Sequence, residues 1–153
     1  MPEQFPPLQF PVRLRLKWKT EGDKIYFWDR RRNKYILLTP EEWVRQHVLA
    51  WLEQEGYPPA LMAVERQLTV NRLPKRFDIV VFDRKNRPFM LVECKRPDVK
   101  IDENTLHQAL IYNRSLAAPY LLLTNGLKHF LIKMENDNPV FINRLPQFNE
   151  SIT

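Results

Sequence analysis

Glycine is scarce in this chain of 153 residues: Gly22, Gly56 and Gly126 are the only three, and no two lie close together. Phosphate-cradling loops need clustered glycines so that backbone amides can approach the ligand, so nucleotide binding of the P-loop or dinucleotide kind is disfavoured. A single cysteine, Cys94, excludes an internal disulfide and fits a reducing cytoplasm. The three histidines, His47, His107 and His129, are too far apart for zinc-type spacing. No apolar run approaches the ~18 residues that a membrane-spanning helix requires. The start, Met1 to Pro7, has neither the basic residues nor the apolar core of a signal peptide. What the chain does have is enough length for one domain with a real core, and an excess of positive charge. Lysine and arginine number 24 against 18 acids, a net charge of +6. Between Arg66 and Lys100 ten basic residues meet only four acids, an excess as large as that of the whole chain. A basic surface of this kind suits a polyanionic partner, nucleic acid before others.

Periodicity predicts an α/β protein with a small β element in front. Residues 1–11 hold four prolines and read as an extended arm. Val12 to Trp18 alternates apolar and basic residues, a strand pattern with one cationic face. Lys24 to Trp28 and Lys34 to Leu38 read as a hairpin whose tip, Asp29 to Asn33, is basic. Thr39-Pro40-Glu41-Glu42 is a helix start: a threonine cap, proline at the first helical position, and Glu42 placed for a capping box. That helix should stop at Gly56, before Pro58 and Pro59. Strands follow over Met62–Val70, Phe77–Asp83 and Phe89–Lys95, then a helix over Asn104–Leu116 and a strand over Tyr120–Thr124. A turn at Asn125-Gly126, a strand over His129–Met134 and an edge strand over Pro139–Ile142 complete the order. The core is therefore αβββαβ, a mixed central sheet with helices on both faces, because the Phe77 and Phe89 runs are apolar on both sides. The arm and hairpin occupy residues 1–36 and pack on a core of residues 37–145, one domain overall.

The chemistry gathers between Arg76 and Pro97. Folded as a hairpin with Lys85-Asn86 at its tip and Arg84 facing Arg87, the two apolar strands bring Asp78 opposite Glu93. Cross-strand neighbours lie about 4.5–5.5 Å apart at Cβ, close enough for two carboxylates to share one divalent cation. Lys95 is two residues beyond Glu93 and points to the same face. Two acids and an ammonium at the end of an otherwise apolar sheet point to hydrolysis. Cys94 alternates away from that face, so its side chain should be buried and inert. Glu65, on the preceding strand, is either an accessory ligand or a surface acid paired with Arg66. Glu42 is explained by its capping position, with a place near the metal as the alternative. Lys75, Arg76, Arg96 and Lys100 are candidates for phosphate contact by charge and proximity.

The chain resembles the PD-(D/E)xK nuclease superfamily, and within it the N-terminal nuclease domain of the R subunit of type I restriction enzymes. The resemblance rests on an ordered set: Leu38-Thr-Pro-Glu-Glu-Trp-Val-Arg45, Glu55-Gly-Tyr-Pro58, Val64-Glu-Arg66, Arg76-Phe-Asp-Ile-Val-Val81, Leu91-Val-Glu-Cys-Lys-Arg-Pro97, Gln108-Ala-Leu-Ile-Tyr112 and Leu123-Thr-Asn-Gly126. It implies a restriction-endonuclease-like fold and Mg²⁺- or Mn²⁺-dependent cleavage of DNA, endonucleolytic in kind. It also implies Asp78, Glu93 and the backbone carbonyl of Cys94 as metal ligands, and Lys95 as the cation that holds the attacking water. Gln108 and Tyr112 match the Gln-x-x-x-Tyr motif of RecB-like branches, where the glutamine supports the site and the tyrosine touches the DNA backbone. The family's large members continue into a helicase motor that has no counterpart here. A protein partner supplying motor or specificity is therefore one alternative, and a non-catalytic binding module on the same fold is another. A homodimer is left open, since a double-strand cut would need two sites.

Overall fold

The computed structural model describes residues 5–70 and 73–148, with side chains described for residues 5–65 and 76–148. Three short strands, β1 (Trp18–Glu21), β2 (Lys24–Asp29) and β3 (Lys34–Leu37), form an antiparallel sheet in the order β1-β2-β3. Helix α1 spans Pro40–Gln54, and the Thr39 hydroxyl caps it by accepting from the Glu42 amide at 3.1 Å. Strands β4 (Met62–Val70), β5 (Leu73–Phe82) and β6 (Pro88–Cys94) follow, then helix α2 (Glu103–Leu116) and strands β7 (Tyr120–Thr124), β8 (His129–Glu135) and β9 (Asn138–Ile142). They make one six-stranded sheet in sequence order. Every neighbouring pair is antiparallel except β6–β7, which is parallel and so needs α2 as its crossover. The expected α/β architecture, a mixed sheet flanked by two helices with a small β element in front, is the one observed.

The two helices cover opposite faces of this sheet. Val44, Val48 and Leu52 of α1 pack with Ile79, Val81, Met90, Val92 and Leu122. Ala109 of α2, with Leu106 and Leu110 beside it, packs with Val80, Leu91, Leu121 and Leu123. Alternate residues of β5, β6 and β7 thus serve different layers, which is why these strands are apolar on both faces. The proline-rich arm lies across the α1 side. Phe10 stacks on His47 and His129 with ring centroids 5.6 and 4.3 Å away, and the Gln9 amide donates to the Gly126 carbonyl at 2.8 Å. Gly126 has a φ of +87°, and a Cβ there would meet Leu8 Cδ2 at 2.7 Å, so turn and arm together demand glycine.

Two local expectations need correction. Val12 to Lys17 alternates in exposure as its pattern suggests, but the paired strand starts only at Trp18. Alternation reports which side chains are shielded, and among the described residues this segment meets β2 only at its end, where the Lys17 carbonyl accepts from the Trp28 amide. At the β5–β6 tip, Arg84 does not face Arg87. Instead Asp83 donates its amide to the Arg87 carbonyl, and its carboxylate accepts from the amides of Lys85 and Arg87. The register shifts by one residue between Val81 and Phe82. Asn86, at φ +60°, adopts the left-handed conformation that the turn requires.

Candidate active site

The shift at the tip leaves the rest of the hairpin in the register counted from sequence, with Ile79 beside Val92. Continued by one residue, that register sets Asp78 beside Glu93, but the paired ladder has already ended. The Cys94 amide donates to Asp78 Oδ2 at 2.8 Å, so a side chain replaces the next backbone acceptor. On the other side of β5, the pairing with β4 skips from Val64–Ile79 to Arg66–Phe77. The residue passed over, Glu65, has a φ of +49°, a conformation costing about 1–3 kcal/mol for a residue with a side chain. Asp78 is therefore released from regular pairing on both edges. Phe77 packs in the α2 layer and Ile79 in the α1 layer, although two residues apart on a regular strand would share a face. The break turns Asp78 towards α1.

What Asp78 meets there is Arg45. The guanidinium, with 5% of the side chain exposed, donates from Nη2 to Asp78 Oδ1 at 2.8 Å. Its Nη1 pairs with Glu42 Oε1 at 2.9 Å and Glu65 Oε1 at 3.1 Å. Glu41 Oε1 lies 3.4 Å from Nη2. Burial works against the charge on Arg45, but Glu42 and Asp78 outweigh it and the pKa is raised further. The chain of pairs runs on: Glu42 and Glu65 also bind Arg32, at 2.8 and 3.2 Å, and Arg32 binds Asp29 at 2.6 Å. Glu42 is thus drawn wholly into this buried network. The expected capping box is half made, because its carboxylate goes to Arg32, Arg45 and Gln46 instead of back to the helix start.

Glu41, which carried no role in the sequence reading, is a second helix acid at the cluster. Burial raises its pKa first, followed by the charge of Asp78 and a hydrogen-bonding contact with it, while Arg45 and Lys95 oppose the rise. Glu93 feels the same crowd. Its pKa is pushed to about 7, chiefly by burial and then by Asp78, with Lys95 pulling the other way. Asp78, Glu93 and Lys95 are therefore close enough to feel one another's charge, and Glu41 and Arg45 share in it. The spacing of Glu41, Glu42 and Arg45 on one helix carried a signal for the last two. That β5 would turn Asp78 towards them was not legible. Cys94 is buried in the α1 layer with its thiol pKa pushed well up by burial, so it is inert as expected.

The remaining candidates lie further out. Gln108 is exposed on α2 and its side chain makes no hydrogen bond among the described residues; Tyr112, one turn on, packs against the α2 layer. Arg76 and Lys100 are exposed, while exposed Arg96 pairs with Asp98 at 3.1 Å. The side chain of Lys75 lies outside the described residues, as does that of Arg66, the partner considered for Glu65.

The donor chemistry suits a hard divalent ion. Crowded, half-buried carboxyls are what a cation relieves, and Mg²⁺ needs only one or two of them, since it keeps waters and binds substrate phosphate. Among the described residues no group of three or more histidine, cysteine or acidic side chains is placed to hold a metal ion, so protein side chains alone do not form a closed cage.

Residues 40–146 match the family model described as the type I restriction enzyme R protein N terminus, HSDR_N. The chain belongs to the HSDR_N family. The match runs from the first residue of α1 past the end of β9, so it takes in the whole six-stranded sheet and every member of the Asp78 cluster except Arg32 and Asp29. The three-stranded sheet of this HSDR_N chain lies ahead of the matched segment. No curated protein matches the chain. Among the described residues no helix is long and apolar enough to cross a membrane.

Proposed function

We propose that this HSDR_N chain hydrolyses DNA phosphodiester bonds with Mg²⁺ or Mn²⁺, as a nuclease of the PD-(D/E)xK type. The observation that carries the reading is the opened ladder at Asp78. A carboxylate is freed from both neighbouring strands, bonded to the amide that follows Glu93, and set among Glu41, Glu93 and Lys95. Membership of a restriction-enzyme family supports DNA as the substrate class, and the basic flank with Arg76, Arg96, Lys100 and Lys75 suits its backbone. Asp78 and Glu93, with the Cys94 carbonyl, would hold the ion. Glu65, already bound to two arginines, acts through them as an outer acid. A bound ion would supply a Lewis acid for the scissile phosphate and acidify a water. Lys95 would hold the attacking water by donating a hydrogen bond to it and would offset the negative charge that grows on the phosphate. Arg45 holds the Asp78 carboxylate in the orientation the reaction needs. Gln108, exposed on α2, and Tyr112 take their roles of site support and DNA-backbone contact from the Gln-x-x-x-Tyr resemblance alone. The reaction takes place in the cytoplasm, with further restriction subunits as partners.

Cleavage of supercoiled plasmid and of circular single-stranded DNA, with Mg²⁺, Mn²⁺ or EDTA, tests this. Metal-dependent nicking is expected, and Lys95→Ala should lower it by about a hundredfold or more while the melting temperature stays unchanged. If cleavage appears only with a second subunit present, the chain is a partner-dependent nuclease. If there is no cleavage, and titration calorimetry finds no Mg²⁺ or Mn²⁺ binding that Asp78→Ala removes, the enzyme reading fails and a binding module remains.

A further inference from the structure

The three-stranded sheet lies outside the family match and has a face that the catalytic reading does not use. Ile25 and Phe27 turn inward, against Phe5 and Leu38. The two-residue period of β2 therefore sends Tyr26 and Trp28 to the outer face. Register adds Lys19 and Leu37 beside Tyr26, and Tyr35 beside Trp28. The rings of Trp28 and Tyr35 meet edge to face with centroids 5.2 Å apart. Lys19 reaches across β2 to place its ammonium 4.3 Å from the centre of the Tyr35 ring, so all three strands contribute to one surface. Lys17, whose carbonyl accepts from the Trp28 amide at 2.8 Å, extends the row. Lys17 and Lys19 are exposed, and Tyr26, Trp28 and Tyr35 keep part of their surface in water.

From this geometry we infer that the outer face of the β1–β3 sheet binds single-stranded nucleic acid. Tyr26, Trp28 and Tyr35 offer a platform on which unpaired bases stack, and Lys17 and Lys19 flank it at the level of the phosphates. Stacking on aromatic residues beside a basic track is the physical basis of single-strand binding. Charge agrees, since residues 12–37 carry nine lysines and arginines against three acids. A duplex buries its base faces and would leave the platform unused. A protein interface is the poorer fit, because lysine is depleted at the centre of such interfaces and here it lies across the aromatic rows. Lys19 also pairs with Glu21 at 3.1 Å, and a phosphate would compete for that ammonium.

The test is anisotropy of a fluorescein-labelled oligothymidylate of about twelve nucleotides, titrated with the full chain in EDTA, so that binding is read without cleavage. Tyr26→Ala or Tyr35→Ala should weaken binding at least about fivefold. Lys17→Ala with Lys19→Ala should weaken it and lower the salt slope by about 1.4. Lys128→Ala, the loss of one lysine outside this sheet on the β7–β8 turn, should leave it unchanged. The lysine variants are on exposed positions and keep the test decisive if an aromatic variant fails to fold. A duplex of equal length binding as tightly, or variants that change only concentration-dependent self-association, would overturn the inference. Because the readout needs no metal, failure here and failure of the cleavage assay are distinct results.

Discussion

Glu93 is a carboxyl whose neighbours decide its proton. Burial and Asp78 hold its pKa near 7, well above the ordinary carboxylate range, so the folded chain binds a proton that the unfolded chain releases near pH 4.5. The linkage has a definite sign. Stability from this group is fully present below pH 4.5 and is lost as pH rises through 7. The ceiling is about 3 kcal/mol, reduced by whatever access water has to the carboxyl. In EDTA the melting temperature should therefore fall between pH 5.5 and pH 8.5, and Glu93→Gln should flatten that slope. Thermal unfolding followed by circular dichroism across the pH series measures both. A slope unchanged in the variant would assign the pH dependence to other groups, Glu41 first, since burial and Asp78 raise its pKa too.

At the scale of elements, most of the architecture could be read from the chain because each segment carries its own local signal. The cap at Thr39 and proline at the first turn start α1, and runs bounded by turn residues mark the strands; the Met62–Val70 and Tyr120–Thr124 boundaries are those expected. Thr39→Ala removes the hydroxyl that accepts from the Glu42 amide in the first turn of α1 and should cost about 1 kcal/mol, whereas Thr39→Ser should cost little. Urea unfolding with an unchanged slope and a shifted midpoint would show it. Where the reading failed, the cause was pairing. Val12 to Lys17 looks like a strand but, among the described residues, is paired only at its end, through Lys17. The turn at Asp83 is tighter than a symmetric hairpin because one carboxylate can accept two amides at once. Neither fact is a property of the segment alone.

For the whole molecule, the ion-pair chain from Asp29 through Arg32, Glu42 and Arg45 to Asp78 joins the small sheet to the cluster. Arg32 is the link, and it retains 25% of its side-chain exposure. Arg32→Ala should cost about 2 kcal/mol, less than a fully buried pair would, because water reaches the guanidinium. Differential hydrogen exchange should show the loss first in β2, β3 and the start of α1; protection lost evenly across the chain would mean the two sheets are not joined there. The register that sets Asp78 at the level of Glu93 could be read from the sequence because hairpin register is a local rule. The same is true of the two-faced sheet and of its covering helices. Only the tertiary structure brought Glu41 and Arg45 to Asp78, by skipping Glu65 and breaking the alternation of β5. It also drew Glu42 away from its cap and into a buried pair. Those outcomes depend on which charges are excluded from water together, and burial is set by the packed whole.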